Sequence, residues 1–176
     1  GGINQTSLRK LMTYSSINHV GWMLSSMLIS MNLFLLYFLM YCFLSISMVL
    51  IFMNYKIYHL NQTYSSLNLS PVIKFMIFCN LLSLGGLPPF MGFMPKWMVI
   101  QMMVENNMIF LIFFMVMMTL ITLYFYIRIS YSAFMLMYTE LKWNLFFFNN
   151  YFYISLFFSF FSIFGLILTS MIYIIL

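Results

Sequence analysis

The residue best suited to chemistry is Lys96, which directly follows a run of residues that interrupts a long apolar segment. The run reads Gly85-Gly86-Leu87-Pro88-Pro89-Phe90, then Gly92, then Pro95-Lys96-Trp97. The remaining Lys and Arg residues fall at the ends of apolar segments. A cation inside hydrocarbon costs roughly 2.5–3.5 kcal/mol on insertion scales, so a lysine beside a broken helix indicates a function. Transporters build ion sites from broken helices with ionisable groups near the middle of the membrane.

The prolines of this run predict a polar spot around the interruption. A proline has no N–H, so it leaves unbonded the carbonyl four residues earlier in a helix. The carbonyls affected are those of Leu84, Gly85 and Met91. Because bare carbonyls in lipid are costly, they must face protein or water. Lys96 can then carry a proton if it also exists there as the neutral amine. The alternative is that Lys96 reaches an interface or only donates hydrogen bonds to the freed carbonyls.

His19 is the second candidate for proton transfer, because imidazole titrates near physiological pH and passes protons through either nitrogen. It shares one helix face with Ser15, Trp22 and Ser26, at spacings of four, three and four residues. The alternative is a neutral histidine that is hydrogen-bonded to a neighbouring helix.

Further residues are candidates for supporting roles on a proton path. They are Ser15, Ser16, Gly85, Gly86, Pro88, Pro89, Pro95, Lys10, Lys74 and Glu105. The two lysines could admit protons from the membrane face on which they lie, although the topology of the chain explains them as well. Glu105 could release protons at the opposite face, although capping of a turn explains it as well.

Five apolar segments are each long enough to cross a bilayer as a helix, which requires about 20 residues. They cover residues 8–29, 33–58, 72–104, 108–137 and 151–176, and the third is broken at 85–95. Without a break, the third would be about 48 Å long at the rise of an α-helix, too long for a hydrocarbon core of about 30 Å. We therefore predict an all-α transmembrane fold, a five-helix bundle with one discontinuous helix, in a single domain over residues 1–176.

The positions of the charged residues predict how these helices are oriented. Arg9 and Lys10 begin the first span, Lys56 ends the second, Lys74 begins the third, Arg128 ends the fourth, and Lys142 precedes the fifth. With five antiparallel spans, all six lie on one face, and Glu105 lies on the other, which is the positive-inside pattern. Counting residues inward from either face places both Lys96 and His19 about 13 Å deep, near the midplane.

Composition excludes several classes of protein. The chain is 65% hydrophobic and 5% charged, whereas a soluble domain is about 25% charged. Its net charge of +5 comes from single, scattered residues, so no nucleic acid is predicted as a partner. Cys42 and Cys79 lack paired spacing, and Gly85-Gly86 does not fit a dinucleotide fingerprint, so we predict no metal and no cofactor in this chain.

Amino-acid usage and the first residues predict where the chain is made. It contains 20 Met, 22 Phe and 13 Tyr but no Asp, a bias expected of an AT-rich coding genome such as that of animal mitochondria. No cleavable targeting segment is visible, which fits synthesis inside the organelle. The chain starts at Gly1 rather than Met, so we expect it to be the later part of a longer protein or one half of a split one.

Several motifs carry a resemblance to a known family. They are Gly1-Gly2-Ile3-Asn4-Gln5-Thr6-Ser7-Leu8-Arg9-Lys10, Tyr14-Ser15-Ser16-Ile17-Asn18-His19, Gly21-Trp22, Leu82-Ser83-Leu84-Gly85-Gly86-Leu87-Pro88-Pro89-Phe90, Gly92-Phe93-Met94-Pro95-Lys96-Trp97, Phe125-Tyr126-Ile127-Arg128 and Tyr131-Ser132. Together they closely resemble the subunit 2 family of animal mitochondrial NADH–ubiquinone oxidoreductase, antiporter-like subunits in the membrane arm of respiratory complex I. The match extends to about Ala133, and beyond it only hydropathy agrees.

This resemblance implies a fold, a function and partners. The family folds as two inverted five-helix repeats, each with a broken helix, and this chain resembles the second repeat, with Lys96 on the family's lysine. The implied function is proton translocation across the mitochondrial inner membrane, with the basic loops facing the matrix. NADH, flavin, iron–sulfur clusters and ubiquinone would belong to other subunits, since this chain carries no redox centre. The implied partners are the missing N-terminal half, neighbouring membrane subunits and the lipid bilayer, with cardiolipin.

Two other functions fit the same residues. One is a subunit of a stand-alone cation/proton antiporter, to which these subunits are similar. The other is a structural membrane scaffold in which Lys96 is inert. Finding quinone-reductase partner chains would decide between the stand-alone antiporter and the respiratory complex. Normal pumping after substitution of Lys96 would support the scaffold.

Overall fold

The computed structural model describes residues 2, 4–60, 62, 71–135 and 152–175. Its long helices are α1 (Leu8–Ile29), α2 (Met31–Tyr55), α3 (Pro71–Gly85), α4 (Phe93–Glu105), α5 (Ile109–Met135) and α6 (Phe152–Ile175). The described part of the chain is all-α, with a single isolated bridge between Ser7 and His59. The longest helices, α2 and α5, contain neither Gly nor Pro, so nothing in their sequences interrupts the backbone hydrogen bonds.

The tight turns between helices follow from single polar residues. Ser30 joins α1 to α2: its N–H donates to the Ser26 carbonyl at 3.1 Å, and its hydroxyl accepts from the Leu33 N–H at 3.4 Å. Asn107 follows α4 in the left-handed conformation, with φ of 59°. Asparagine tolerates this conformation better than most residues, so it can end a helix as glycine does.

The chain breaks between α3 and α4, over residues 86–92. Gly86 has a φ of 81°, and the N–H of Leu87 reaches back to the Leu82 carbonyl at 3.4 Å. This is the Schellman arrangement, in which a left-handed glycine terminates a helix and satisfies its last carbonyls. Two prolines then prevent the helix from restarting at once.

Pro95 lies outside this break, although the sequence analysis included it. It is the third residue of α4, where a helical N–H has no intrahelical partner and a missing one costs nothing. The Met91 carbonyl, expected to be left free by Pro95, accepts from the Met94 N–H at 3.3 Å. The interruption is therefore shorter than the predicted 85–95.

Two of the three apolar clusters in the described part of the bundle include residues of α1. One contains Leu8, Leu11, Leu44, Met48, Ile51, Ile57, Ile77, Leu81, Leu84, Phe125, Tyr126 and Ile129; the other contains Trp22, Met23, Tyr37, Val99 and Met103. The first draws its α1 residues from the start of that helix, and the second draws them from beyond its middle. His19 lies between these two sets on α1.

The start of α1 and the end of α2 lie side by side, and we call this end of the bundle the basic end. The Leu8 N–H donates to the Tyr58 carbonyl at 3.0 Å, and the Arg9 guanidinium lies 4.9 Å from the centre of the Tyr58 ring. Arg9 and Lys56 therefore lie at the same end. Lys142 lies outside the described residues, so the grouping of all six basic residues stays a prediction.

Two helices of the described chain are long and apolar enough to cross a membrane by length and composition alone, Met31–Tyr55 and Ile109–Tyr131. The second has only 11% of its apolar window buried, and Phe110 is 78% exposed. An apolar surface of this extent requires lipid or another chain to cover it. The predicted count of five spans is not decided by these two helices and stays a prediction.

Candidate functional site

Lys96 is buried at the break and binds the two carbonyls that Pro88 and Pro89 leave without a helical partner. Its side chain is 6% exposed. The Nζ donates to the Gly85 carbonyl at 2.8 Å and to the Leu84 carbonyl at 3.3 Å. The lysine of the second half-helix thus satisfies the last carbonyls of the first half-helix.

These contacts fit both protonation states of the amine. An ammonium group has three N–H donors, and a neutral amine keeps two together with a lone pair. Two donors are enough for the Leu84 and Gly85 carbonyls. Lys96 can therefore lose a proton without giving up either hydrogen bond. The site differs in this from an ion pair, in which the loss of a proton removes the attraction.

Gly86 makes room for the lysine. A Cβ added at Gly86 would lie 2.8 Å from Lys96 Nζ and 2.9 Å from its Cδ. A Cβ added at Gly85 would meet only Tyr126 at 3.5 Å and Leu123 at 3.6 Å, which are ordinary contact distances. The two adjacent glycines therefore differ in role, and Gly86 alone combines a positive φ with contact to Lys96.

We expect Gly86→Ala to impair the site and Gly85→Ala to leave it nearly intact. The positive φ costs a non-glycine residue about 1–3 kcal/mol, and the new methyl group displaces the lysine from its carbonyls. The measurement is thermal unfolding of the assembled protein together with its proton transfer. Equal losses in the two variants would show that the space beside Lys96 is unimportant.

His19 is buried close to the same carbonyl. Its side chain is 5% exposed, and its Nδ1 is hydrogen-bonded to the Tyr37 hydroxyl at 3.0 Å. The ring also packs on Tyr41, with centroids 4.8 Å apart. It interacts electrostatically with Lys96 and lies within reach of the Leu84 carbonyl. The structure therefore places both sequence candidates around one carbonyl, and it adds a tyrosine that bonds the imidazole.

The supporting serines lie on the same side of α1 but do not reach Lys96 directly. The Ser15 hydroxyl is buried and donates to the Met12 carbonyl at 2.7 Å. It lies close to the buried Tyr126 hydroxyl, which makes no hydrogen bond of regular geometry to any residue that the structure describes. Ser16 donates to the Thr13 carbonyl. Ser15 thus continues the buried polar side chains of α1 from His19 toward Tyr126 on α5.

The charged candidates at the helix ends are not brought to the site. Lys10 and Glu105 are exposed, and Lys74 is partly exposed. Glu105 is the last residue of α4, nine residues and about 13 Å along the helix from Lys96. Within the described ranges, no three His, Cys, Asp or Glu side chains come together as a metal site.

Sequence reasoning missed two residues, Tyr37 and Asn80, and it missed the role of a third, Gly92. Tyr37 is one of 13 tyrosines in the chain, so nothing singled it out as the partner of His19. Asn80 was detectable, because it is the only amide side chain in α3. Gly92 was visible as part of the motif, but only its distance from Ser83 explains why a glycine is required there.

Comparison with known proteins agrees with this geometry. Residues 1–122 match the family described as NADH:quinone oxidoreductase/Mrp antiporter, TM. The chain is 54% identical to NADH-ubiquinone oxidoreductase chain 2 of Aedes aegypti, over 100% of this chain and 52% of that protein. It is 55% identical to the protein of the same name from Anopheles gambiae, over 99% of this chain and 52% of that protein.

A third relative matches along nearly all of its own length. The chain is 50% identical to NADH-ubiquinone oxidoreductase chain 2 of Anopheles albimanus, over 95% of this chain and 99% of that protein. Against the relatives from Aedes aegypti and Anopheles gambiae, the chain spans about half of their length. The expected resemblance to antiporter-like subunits is confirmed, and the chain belongs to the NADH:quinone oxidoreductase/Mrp antiporter transmembrane family.

Proposed function

We propose that this chain carries protons across the mitochondrial inner membrane as part of an NADH:ubiquinone oxidoreductase. NADH oxidation and quinone reduction are carried out by other subunits in this proposal. The observation that supports it best is the buried Lys96 amine on the carbonyls of a broken helix. The names of the relatives support the complex, since all of them are chains of NADH-ubiquinone oxidoreductase.

The proposed proton step uses Lys96 as the carrier and His19 as its neighbour. Neutral Lys96 accepts a proton on its lone pair and becomes an ammonium ion while it keeps the Leu84 and Gly85 hydrogen bonds. It then releases a proton toward the imidazole, whose second nitrogen is fixed by the Tyr37 hydroxyl. The Tyr37 hydroxyl can accept from a protonated Nδ1, and in that tautomer Nε2 carries the lone pair that can take a proton from Lys96.

The proposed partners are the remainder of such a subunit, neighbouring membrane subunits of the complex, and the lipid bilayer with cardiolipin. The exposed apolar side chains support a lipid or protein covering. The arrangement as one of two inverted five-helix repeats belongs to this proposal as well.

The proposed orientation places the basic end in the matrix. We expect cysteines at positions 10 and 56 to react with a membrane-impermeant thiol reagent from the matrix side, and a cysteine at position 107 to react only from the opposite side. Sealed inner-membrane vesicles of both orientations would be used, and mass spectrometry would identify this chain. The unmodified chain, whose cysteines are Cys42 and Cys79, is the control. Labelling of positions 56 and 107 from one side would refute the proposed topology.

Purification of the intact chain from membranes in mild detergent shows whether the chain belongs to an NADH:ubiquinone oxidoreductase or to a stand-alone antiporter. We expect it to co-purify with NADH:quinone reductase activity at a fixed ratio. Recovery with other antiporter subunits and no NADH-oxidising activity would instead support the stand-alone antiporter, which the shared family description also covers.

A further inference from the structure

A second group of buried polar side chains lies where α2, α3 and α6 meet. Asn80, Ser47 and Ser162 are each 0% exposed. The Ser47 hydroxyl lies 3.5 Å from Asn80 Oδ1, and the Ser162 hydroxyl also lies within hydrogen-bond distance of that oxygen. Each hydroxyl has a single hydrogen, which it can give either to Asn80 or to the carbonyl three residues earlier in its own helix. Ser47 lies eight residues before the end of α2, and Asn80 and Ser162 lie nine and ten residues after the starts of α3 and α6. They are not among the proton-path candidates from the sequence.

The Asn80 amide nitrogen has no hydrogen-bond partner among the described residues. Turning the amide over would only exchange the nitrogen for the oxygen, so one end of this buried group lacks a protein partner in either orientation. An unpaired buried polar group costs about 1–3 kcal/mol. Buried water commonly removes such a cost by bonding about three polar atoms.

A column of serines leads from the beginning of α6 to this amide. It consists of Ser155, Ser159 and Ser162, which are 3%, 0% and 0% exposed. Their spacings of four and three residues put them on one helix face, with neighbouring Cβ atoms about 5–6 Å apart. Two hydrogen bonds of about 2.8 Å cover that distance, so a single water between successive hydroxyls would link them.

The inner end of the column meets the break. The Met91 N–H, within the break, donates to the Ser162 carbonyl at 3.2 Å. Asn80 precedes Leu84 by one turn of α3, about 6 Å along the helix axis. The Leu84 carbonyl accepts from Lys96 Nζ. The amide therefore lies one helical turn from the carbonyl that holds the lysine.

We propose that the Asn80 amide binds a water molecule, and that this water and the serine column of α6 form the route by which protons reach Lys96 from the end of the bundle at which α6 begins. The inference rests on the proton-carrying role proposed for Lys96. Each water or hydroxyl in the route accepts a proton on one side and gives one up on the other. The net change is the loss of one proton from solution and the formation of one N–H bond at the neutral Lys96 amine.

The test compares variants of the intact complex in sealed vesicles, with protons pumped per NADH as the readout. Asn80→Leu keeps the size of the side chain and removes the water site, so it should lose as much pumping as Lys96→Met does. Asn80→Asp keeps a polar group there and should retain at least half. Ser162→Ala should also lower pumping, whereas Ser130→Ala should not. Ser130 is its matched control, being buried and donating to the carbonyl three residues earlier, as Ser162 also does.

The outcomes separate this inference from the proposed function. If Lys96→Met pumps normally, the proposed function fails. If Lys96→Met stops pumping while Asn80→Leu pumps normally, only the route fails. If the Asn80→Leu variant does not assemble, a high-resolution structure of the unmodified complex decides whether the proposed water is present. A water within 3.2 Å of the Asn80 nitrogen, about the limit of a hydrogen bond, supports the route, and an amide packed only against carbon overturns it.

Discussion

Replacement of Lys96 by methionine is expected to stop proton transfer through this chain, and arginine is expected to impair it almost as much. Methionine has a similar length but cannot bind a proton. Arginine keeps the positive charge, but guanidinium does not release its proton at any working pH. We expect a more than tenfold loss of transfer in both variants, measured as protons pumped per NADH oxidised in sealed vesicles.

Glutamate separates proton carriage from charge at this position. A carboxyl away from water can titrate near neutral pH, so Lys96→Glu should keep part of the transfer, although it donates less well to the Leu84 and Gly85 carbonyls. Lys56→Met is the matched control, because it removes a lysine that is exposed at the end of α2. It should pump as the unmodified protein does. Near-normal pumping by Lys96→Arg would show that the site needs a charge rather than a proton carrier, and normal pumping by Lys96→Met would favour the structural scaffold.

Gly92→Ala is expected to prevent the two half-helices from packing. A Cβ at Gly92 would lie 1.8 Å from the Ser83 backbone carbonyl oxygen, whereas atoms at ordinary contact are well over 3 Å apart. The backbone of Gly92 is itself unstrained, with φ of −66°, so the effect is purely one of space. The backbone fixes the position of the Cβ, and the Ser83 oxygen is itself a backbone atom, so neither can turn aside. We expect a cost of about 3 kcal/mol or more, at the upper end for overpacking.

The measurement for Gly92→Ala is the amount of assembled complex on native gels, together with its thermal stability. Gly21→Ala is the matched control. A Cβ at Gly21 would meet only the end of the Met115 side chain, at 3.5 Å, and alanine favours a helix over glycine by about 1 kcal/mol. We expect the control to assemble normally. If Gly92→Ala assembles as well as Gly21→Ala does, this would contradict the close contact between the Gly92 and Ser83 backbones.

The sequence alone was sufficient for the family of the protein and for the position of Lys96 beside the freed carbonyls at the break. Local covalent properties gave these results: a proline removes an N–H wherever it occurs, and a lysine in an apolar segment is costly in any fold. The freed carbonyls of Leu84 and Gly85 were predicted by counting four residues back from each proline. Pro95 shows the limit of this counting, because the position of a proline within a helix decides whether its missing N–H leaves a carbonyl unbonded.

Contacts between distant parts of the chain were decided only by the tertiary structure. Asn80 and Ser162 are 82 residues apart, and His19 and Tyr37 lie on different helices. Serine and tyrosine occur throughout this chain, and the rotation of each helix in the bundle determines which of them face inward. The sequence thus determined that a polar centre with a lysine exists at a broken helix. Helix packing determined which neighbours complete it, because a hydrogen bond depends on distances of tenths of an ångström that no spacing along the chain specifies.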